Sequence, residues 1–297
     1  MKIIREAGNA GNRVLALGTF DGVHLGHQAL LAAGKNFARE HGALLRACSF
    51  DRHPLEVLRP ASAPKLLTTL HEKTELMERC GVDELQLIPF TPDTAGMEPE
   101  DFLRMLRETV RVKALVAGWN YTFGKGGRGN ADMLRDDGDK YGYTVMIVPP
   151  VMAGSEAVSS TLIRSRLQEG RIREAGELLG HPYELRGTAA EARFAGMNAV
   201  CVDPGERKQL PGCGVYPCRT VTENGILAAA AYITAHNAAG MPAVTVIVPE
   251  GTASLRGQEV RLIPGDRLHE EMETGSPEEL KTLMAEALKR AGTSQDE

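Results

Sequence analysis

The sequence predicts a chain in two parts: an α/β domain built on a parallel sheet, then a smaller antiparallel β-barrel or sandwich with a C-terminal helix. Three observations carry this. Short apolar runs alternate with helix-period stretches up to about residue 183, the pattern of a parallel sheet covered on both faces. From Glu184 onward the alternation stops, and apolar runs separated by Gly, Pro, Asp and Asn continue without a helix until residues 277–290. At 297 residues the chain is long enough for two ordinary domains, and the change of pattern places them at 1–184 and 185–297.

Composition narrows the function classes. The chain is 42% hydrophobic and 25% charged, with net charge −5. That balance lacks the basic footprint of a nucleic-acid binder, so the expected partners are small molecules. No apolar run reaches the roughly 20 residues of a membrane span, and the first residues lack the apolar core of a signal peptide. A cytoplasmic protein with no membrane partner is expected. The five cysteines form no C-x-x-C pair, which suggests neither a disulfide framework nor a zinc site. Oligomeric state is not fixed by these features.

The first strand is the run 14–17, which enters the turn Gly18-Thr-Phe-Asp-Gly-Val-His-Leu-Gly-His27. Gly18, Gly22 and Gly26 permit tight turning and a close ligand. Leu25, Leu30, Leu31 and Phe37 mark the face of the helix that follows. His24 and His27, three apart, share one side of its start. There, unpaired N–H groups and the helix dipole favour a polyanion such as a nucleoside triphosphate. Imidazole N–H groups aimed at an α-phosphate stabilise the charge that builds up in nucleotidyl transfer. The attacking group then belongs to the second substrate, and no protein nucleophile is needed. A surface or capping pair is the alternative. A zinc site is weaker, because the metalloprotease helix spaces its histidines four apart with an adjacent Glu.

The second strand, 44–50, ends in Ser49-Phe-Asp-Arg-His-Pro54, where a strand-end His beside a Pro is either a ligand contact or a turn. Strands follow at 84–88, 114–117 and 144–148. After the fourth comes Gly118-Trp-Asn-Tyr-Thr-Phe-Gly-Lys-Gly-Gly-Arg-Gly-Asn130, suited to wrapping phosphates with backbone N–H groups or to forming a surface loop. After the fifth comes Val158-Ser-Ser-Thr-Leu-Ile-Arg-Ser-Arg-Leu167. Ser159, Ser160 and Thr161 suit an N-cap; with Arg164 and Arg166 they also suit an anion clamp.

These stretches resemble the bacterial bifunctional riboflavin kinase / FAD synthetase family, whose first domain is a Rossmann-like nucleotidyltransferase with a His-x-Gly-His signature. The resemblance covers residues 14 to 183, closing on Leu178-Leu-Gly-His-Pro-Tyr183. It implies an FMN adenylyltransferase, which moves AMP from ATP to FMN and yields FAD and pyrophosphate. It assigns His24, His27 and Arg164 to catalysis. To ATP it assigns Gly18, Phe20, Asp21, Gly22, Gly26, Ser159, Ser160 and Thr161. To FMN it assigns Phe50, His53, Pro54, Asn120 and Phe123, with Asn120 on a nucleotide or flavin phosphate. Arg52 stands where the family pattern has Pro. Magnesium is expected on the ATP phosphates, and no carboxylate cluster names a protein ligand for a metal.

The second part occupies the place of the family's riboflavin kinase domain but departs from its pattern. That domain opens with a long Gly- and basic-rich loop leading to Gly-x-Pro-Thr-Ala-Asn. Here Arg186-Gly-Thr-Ala-Ala-Glu-Ala-Arg193 is too short for the loop, and Phe194-Ala-Gly-Met-Asn198 keeps the Asn alone. The family's acidic base has no counterpart in Val244-Thr-Val-Ile-Val248, and Glu250 is the nearest acid. An adenylyltransferase without riboflavin kinase activity is therefore expected. The alternatives are a fully bifunctional enzyme, an adenylyltransferase with another acceptor, and a flavin- or nucleotide-binding regulator without turnover.

Overall fold

The computed structural model describes residues 1–5, 11–223, 225–234, 244–248, 255–270 and 277–293. Its chain divides into two compact units, Met1–Ser159 and Ser160–Glu297.

In the first unit six strands form a parallel sheet: β1 (Lys2–Ile4), β2 (Asn12–Leu17), β3 (Leu44–Phe50), β4 (Glu84–Ile88), β5 (Arg111–Gly118) and β6 (Thr144–Val148). Their order, β1-β4-β3-β2-β5-β6, reverses direction between β2 and β5. Open α/β sheets bind ligands beyond the carboxyl ends of the strands at such a reversal. Alternate residues of β2 serve opposite faces. Val14 and Ala16 join a core with Leu30 and Leu31 of α1 (Leu25–Glu40) and Met77 of α3 (Leu70–Arg79); the short α2 (Pro54–Leu58) lies between these helices in sequence. Leu15 and Leu17 join a second core with Phe102, Leu103 and Leu106 of α5 (Pro99–Thr109), which follows α4 (Pro92–Gly96), and Leu134 of α6 (Ala131–Tyr141). The expected five strands are all present. β1, a three-residue edge strand, and the hairpin of β7 (Met152–Ala153) and β8 (Glu156–Ala157) are additions.

Close packing of α1 on the sheet depends on Gly34. A Cβ there would lie 2.8 Å from Leu45 Cδ1 and 3.4 Å from Val116 Cγ2, and both neighbours are fully buried. Gly34→Val is expected to cost about 1–3 kcal/mol of stability by overpacking, read from the midpoint of urea unfolding; an unchanged midpoint would mean that the helix can lift without loss.

The strands also hold a charge cluster that their apolar runs conceal. Glu84 accepts from Arg13 Nε at 2.8 Å and Nη2 at 3.0 Å, and from Arg46 Nε at 2.8 Å. Arg46 is fully buried. Burial alone would raise the Glu84 pKa, but hydrogen bonds from Arg13 and Arg46 outweigh it and the pKa is lowered. Losing one partner of such a group leaves an uncompensated buried charge.

The second unit begins with α7 (Ser160–Gln168) and α8 (Ile172–Leu179). Antiparallel strands follow: β9 (Leu185–Phe194), β10 (Met197–Val202), β11 (Gly214–Thr222), β12 (Gly225–Ile233), β13 (Val244–Ile247) and β14 (Glu259–Pro264), with the short β15 (His269–Glu270) beside β11. The order β12-β13-β10-β9-β14-β11 closes through pairing of β11 with β12, so the architecture is a closed barrel rather than an open sandwich. The helix α9 (Pro277–Thr293) sets Met284 and Ala287 against Phe194, Val215 and Tyr232. The alternate residues of β11, Tyr216, Cys218 and Thr220, are at most 2% exposed.

β9 and β14 are strands that the apolar runs do not reveal. Residues 186–193, read as too short for the family's loop, are strand: 189–194 pair with β10 from Phe194↔Met197 to Ala189↔Val202, and 185–188 pair with β14. Along the chain, the change from parallel to antiparallel pairing falls between β6 and β9.

Candidate active site

The turn after β2 is held in an unusual backbone path. Phe20 (φ 52°), Gly22 (φ 85°) and Val23 (φ 40°) all have positive φ, which costs roughly 1–2 kcal/mol for each non-glycine residue. Burial and hydrogen bonds offset that strain. Phe20 and Val23 are fully buried. The Asp21 carboxylate accepts from the backbone N–H of Leu67 and of Thr68, both at 3.1 Å, and Gly22 N–H donates to Thr68 Oγ1 at 3.0 Å. Asp21 is thus engaged in tying the turn to the start of α3. The Gly18 N–H donates to Cys48 O at 3.2 Å, extending the sheet, and a Cβ on Gly18 would lie 3.1 Å from the Phe20 ring.

This path delivers both histidines to the start of α1. His24 is the N-cap, and its Nδ1 accepts from His27 N–H at 3.4 Å. Burial lowers its pKa to about 4, with the Asp21 charge and a backbone hydrogen bond offsetting only part of the shift. At neutral pH the ring is therefore uncharged, and with Nδ1 as acceptor the proton sits on Nε2. The His27 ring stacks on it at 3.7 Å and meets the Phe20 ring edge-on at 5.2 Å. His27 also has its pKa well below the usual value, through burial first and then the neighbouring His24 and Lys73 charges. Its Nδ1 is sealed and has no hydrogen-bond partner among the described residues. Gly26 is required by the stack: a Cβ there would lie 3.1 Å from His24 Cε1. The same Cβ position is 3.9 Å from Val158 O, which brings the segment ending in Ser159 beside the helix start.

The turn after β3 lies next to the first. Ser49 Oγ donates to Thr19 O at 3.0 Å. Phe50 meets Phe90 edge to face at 4.7 Å. His53 caps α2, accepting from Leu55 N–H at 3.2 Å through Nδ1 while its own N–H donates to Glu56, and Pro54 takes the first helical position. Between the two turns opens a cleft lined by Thr19, Asp21, Phe50, Arg52 and His53, with Lys73 of α3 on its wall. Lys73 was not among the sequence candidates, although the Thr69–Glu72 capping box is a legible signal for the first turn of its helix.

The glycine-rich segment after β5 is more folded than its composition suggests. Asn120 is exposed, but Phe123 is 5% exposed and packs against Phe102 and beneath Gly129. The ring's contacts are packing contacts. Lys125 and Arg128 both pair with Glu98, Lys125 at 3.8 Å, so both cations of the loop are engaged by one carboxylate. In the second unit, α7 buries Ile163 and Leu167. Ser160 and Arg164 are half-buried and Thr161 is exposed. Arg166 lies 3.5 Å from Glu169 and 3.4 Å from Glu174, which satisfies it within its own helix pair.

A parallel sheet whose first turn at the strand-order reversal sets two stacked histidines at a helix start is the construction of a His-x-Gly-His nucleotidyltransferase. The chain belongs to the FAD synthetase family, whose model matches residues 7–162. It is 37% identical over 210 residues to the bifunctional riboflavin kinase/FMN adenylyltransferase of Listeria monocytogenes, covering 69% of this chain and 67% of that one. The Escherichia coli protein of the same description is 29% identical over 298 residues, covering 96% and 95%. In fold, the chain matches a crystal structure described as a macrolide-efflux protein from Streptococcus pneumoniae, with TM-score 0.86, 25% identity, and coverage of 98% and 99%. No helix among the described residues is long and apolar enough to cross a membrane.

Proposed function

We propose that this chain is an FMN adenylyltransferase that transfers the AMP group of ATP to FMN, giving FAD and pyrophosphate. The observation that carries the reading is the neutral, stacked His24–His27 pair at the start of α1, reached by the turn whose Thr19 and Asp21 line the cleft toward Phe50 and His53. An oxygen of the acceptor phosphate attacks the α-phosphorus as the bond to the bridging oxygen breaks, and pyrophosphate leaves. The imidazoles and the α1 N-terminus stabilise the charge on the α-phosphate oxygens, in a site whose strained turn is already set before substrate arrives. Gly18, Phe20, Asp21, Gly22 and Gly26 act by shaping that turn. Phe50, His53, Pro54 and Asn120 are proposed for the flavin side, with Phe123 supporting the loop that carries Asn120. Ser159, Ser160, Thr161 and Arg164 keep their assignment to the ATP phosphates, carried by the motif alone. Magnesium enters as the ATP complex, held by substrate oxygens and water; among the described residues no group of three or more His, Cys, Asp or Glu side chains is placed to hold a metal.

Residues 1–184 form the nucleotidyltransferase domain in this reading, and 185–297 form a barrel without riboflavin kinase activity. All five cysteines are free thiols, which suits the reducing cytoplasm. Incubation of the protein with FMN, ATP and magnesium, followed by chromatography, is expected to show FAD. Unchanged FMN at saturating ATP, with adenylylation of another phosphorylated acceptor, would reassign the substrate. Unchanged FMN with tight binding and no turnover of any acceptor would mark a regulator.

A further inference from the structure

Lys73 lies in the first turns of α3, where its Nζ donates to Thr19 O at 2.9 Å. The side chain is half-buried on the wall of the cleft. Among the described residues that carbonyl is its one hydrogen-bond partner, and no carboxylate lies within ion-pair distance. Asp21, whose charge acts on it, has its two oxygens turned to the Leu67 and Thr68 N–H groups. Holding an ammonium group this way is costly. Burial lowers the Lys73 pKa, and Asp21 offsets only part of that shift. An ammonium group has three donors. Thr19 O takes one, and an anion in the cleft would meet the others.

The cleft also says which anion. Its far wall is Phe50, Arg52 and His53 at the end of β3, and its near wall is the turn that leads to His24 and His27. In-line transfer brings an acceptor phosphate up to the α-phosphate, so two anions must approach each other, and a cation beside the turn relieves their repulsion. Lys73 is close enough to His27 to act on its charge. Arg52, exposed at the rim and 3.5 Å from Asp51, adds a second positive group where the family pattern has Pro.

We infer that Lys73 binds the phosphate of the acceptor nucleotide, holding it beside the Thr19 carbonyl for attack on the α-phosphorus. This rests on the adenylyltransferase reading. Lys73→Gln keeps an N–H for Thr19 O and removes the charge. It is expected to raise KM for FMN by about 10- to 100-fold, the scale of one hydrogen bond to a charged group, while KM for ATP moves less than about threefold. Lys73→Arg should recover most of the loss. A rise in KM for ATP alone would move Lys73 to the triphosphate, and a fall in kcat with both KM values unchanged would reduce it to a brace for the turn; either overturns the inference. If the wild-type protein makes no FAD, the adenylyltransferase reading fails by itself. Equilibrium binding of FMN and of riboflavin, which lacks the phosphate, to wild type and Lys73→Gln then decides. Selective weakening of FMN supports the inference, and equal affinities in the two proteins overturn it.

Discussion

His27→Ala is expected to lower kcat for FAD formation by about 10²–10³-fold, the scale seen when one transition-state donor is removed, with a much smaller change in KM. The imidazole is stacked on His24 at 3.7 Å and edged by Phe20 at 5.2 Å, so its orientation is fixed before substrate binds. In the proposed mechanism its interaction with the α-phosphate strengthens only as charge builds there, and such an interaction is lost from kcat rather than from KM. In that mechanism the histidines act as neutral donors, because burial keeps both pKa values below neutrality. Neutral imidazoles contribute no positive charge at pH 7, so in the proposed mechanism charge neutralisation falls to groups such as Lys73. Steady-state kinetics with FMN and ATP varied in turn is the check. A variant that keeps wild-type kcat would return His27 to packing.

Much of the first unit was legible because its strands are buried on both faces and read as unbroken apolar runs. Each of the first three motifs lies at a strand's carboxyl end, where such sheets bind ligands. What the sequence hid is contact between distant residues. Nothing near Asp21 announces that its oxygens belong to Leu67 and Thr68, or that Lys73 reaches Thr19. Arg46 sits inside an apolar run, and its partner Glu84 is 38 residues away. Composition also leaves the packing of the glycine-rich loop unseen. Phe123, given to FMN by the resemblance, is buried against Phe102, and Lys125 and Arg128 both pair with Glu98. In the barrel, β9 escaped notice because it lacks an alternating apolar pattern: Thr188, Ala190, Glu191 and Arg193 are exposed, and only Leu185, Ala189 and Phe194 are buried. β14 shows a period-2 signal, with Val260 and Leu262 buried between Glu259 and Arg261, but it is short.

Riboflavin and ATP are expected to give no FMN at ordinary kinase rates of about 1–100 s⁻¹. Phosphoryl transfer needs held phosphates, a placed metal and an oriented nucleophile, and the described barrel segments depart from the family pattern where it places them. Where the family pattern has a long Gly- and basic-rich loop, β9 runs from Leu185 to Phe194 paired to β10 throughout its second half. The connection is a two-residue turn, Ala195 (φ 49°) and Gly196 (φ 78°). Positive φ at both central residues is the type I′ geometry that matches strand twist in a tight hairpin, and such a turn has no slack to wrap a triphosphate. Asn198, the one survivor of the Gly-x-Pro-Thr-Ala-Asn pattern, pairs across the hairpin with Arg193. β13, Val244–Ile247, carries no acid, and Glu250 lies outside the described residues. The full chain should be assayed carrying His27→Ala, so that any FMN formed accumulates instead of passing on to FAD. FMN production at about 1 s⁻¹ or faster would restore the bifunctional reading and locate the base and phosphate loop outside the segments where the family pattern puts them.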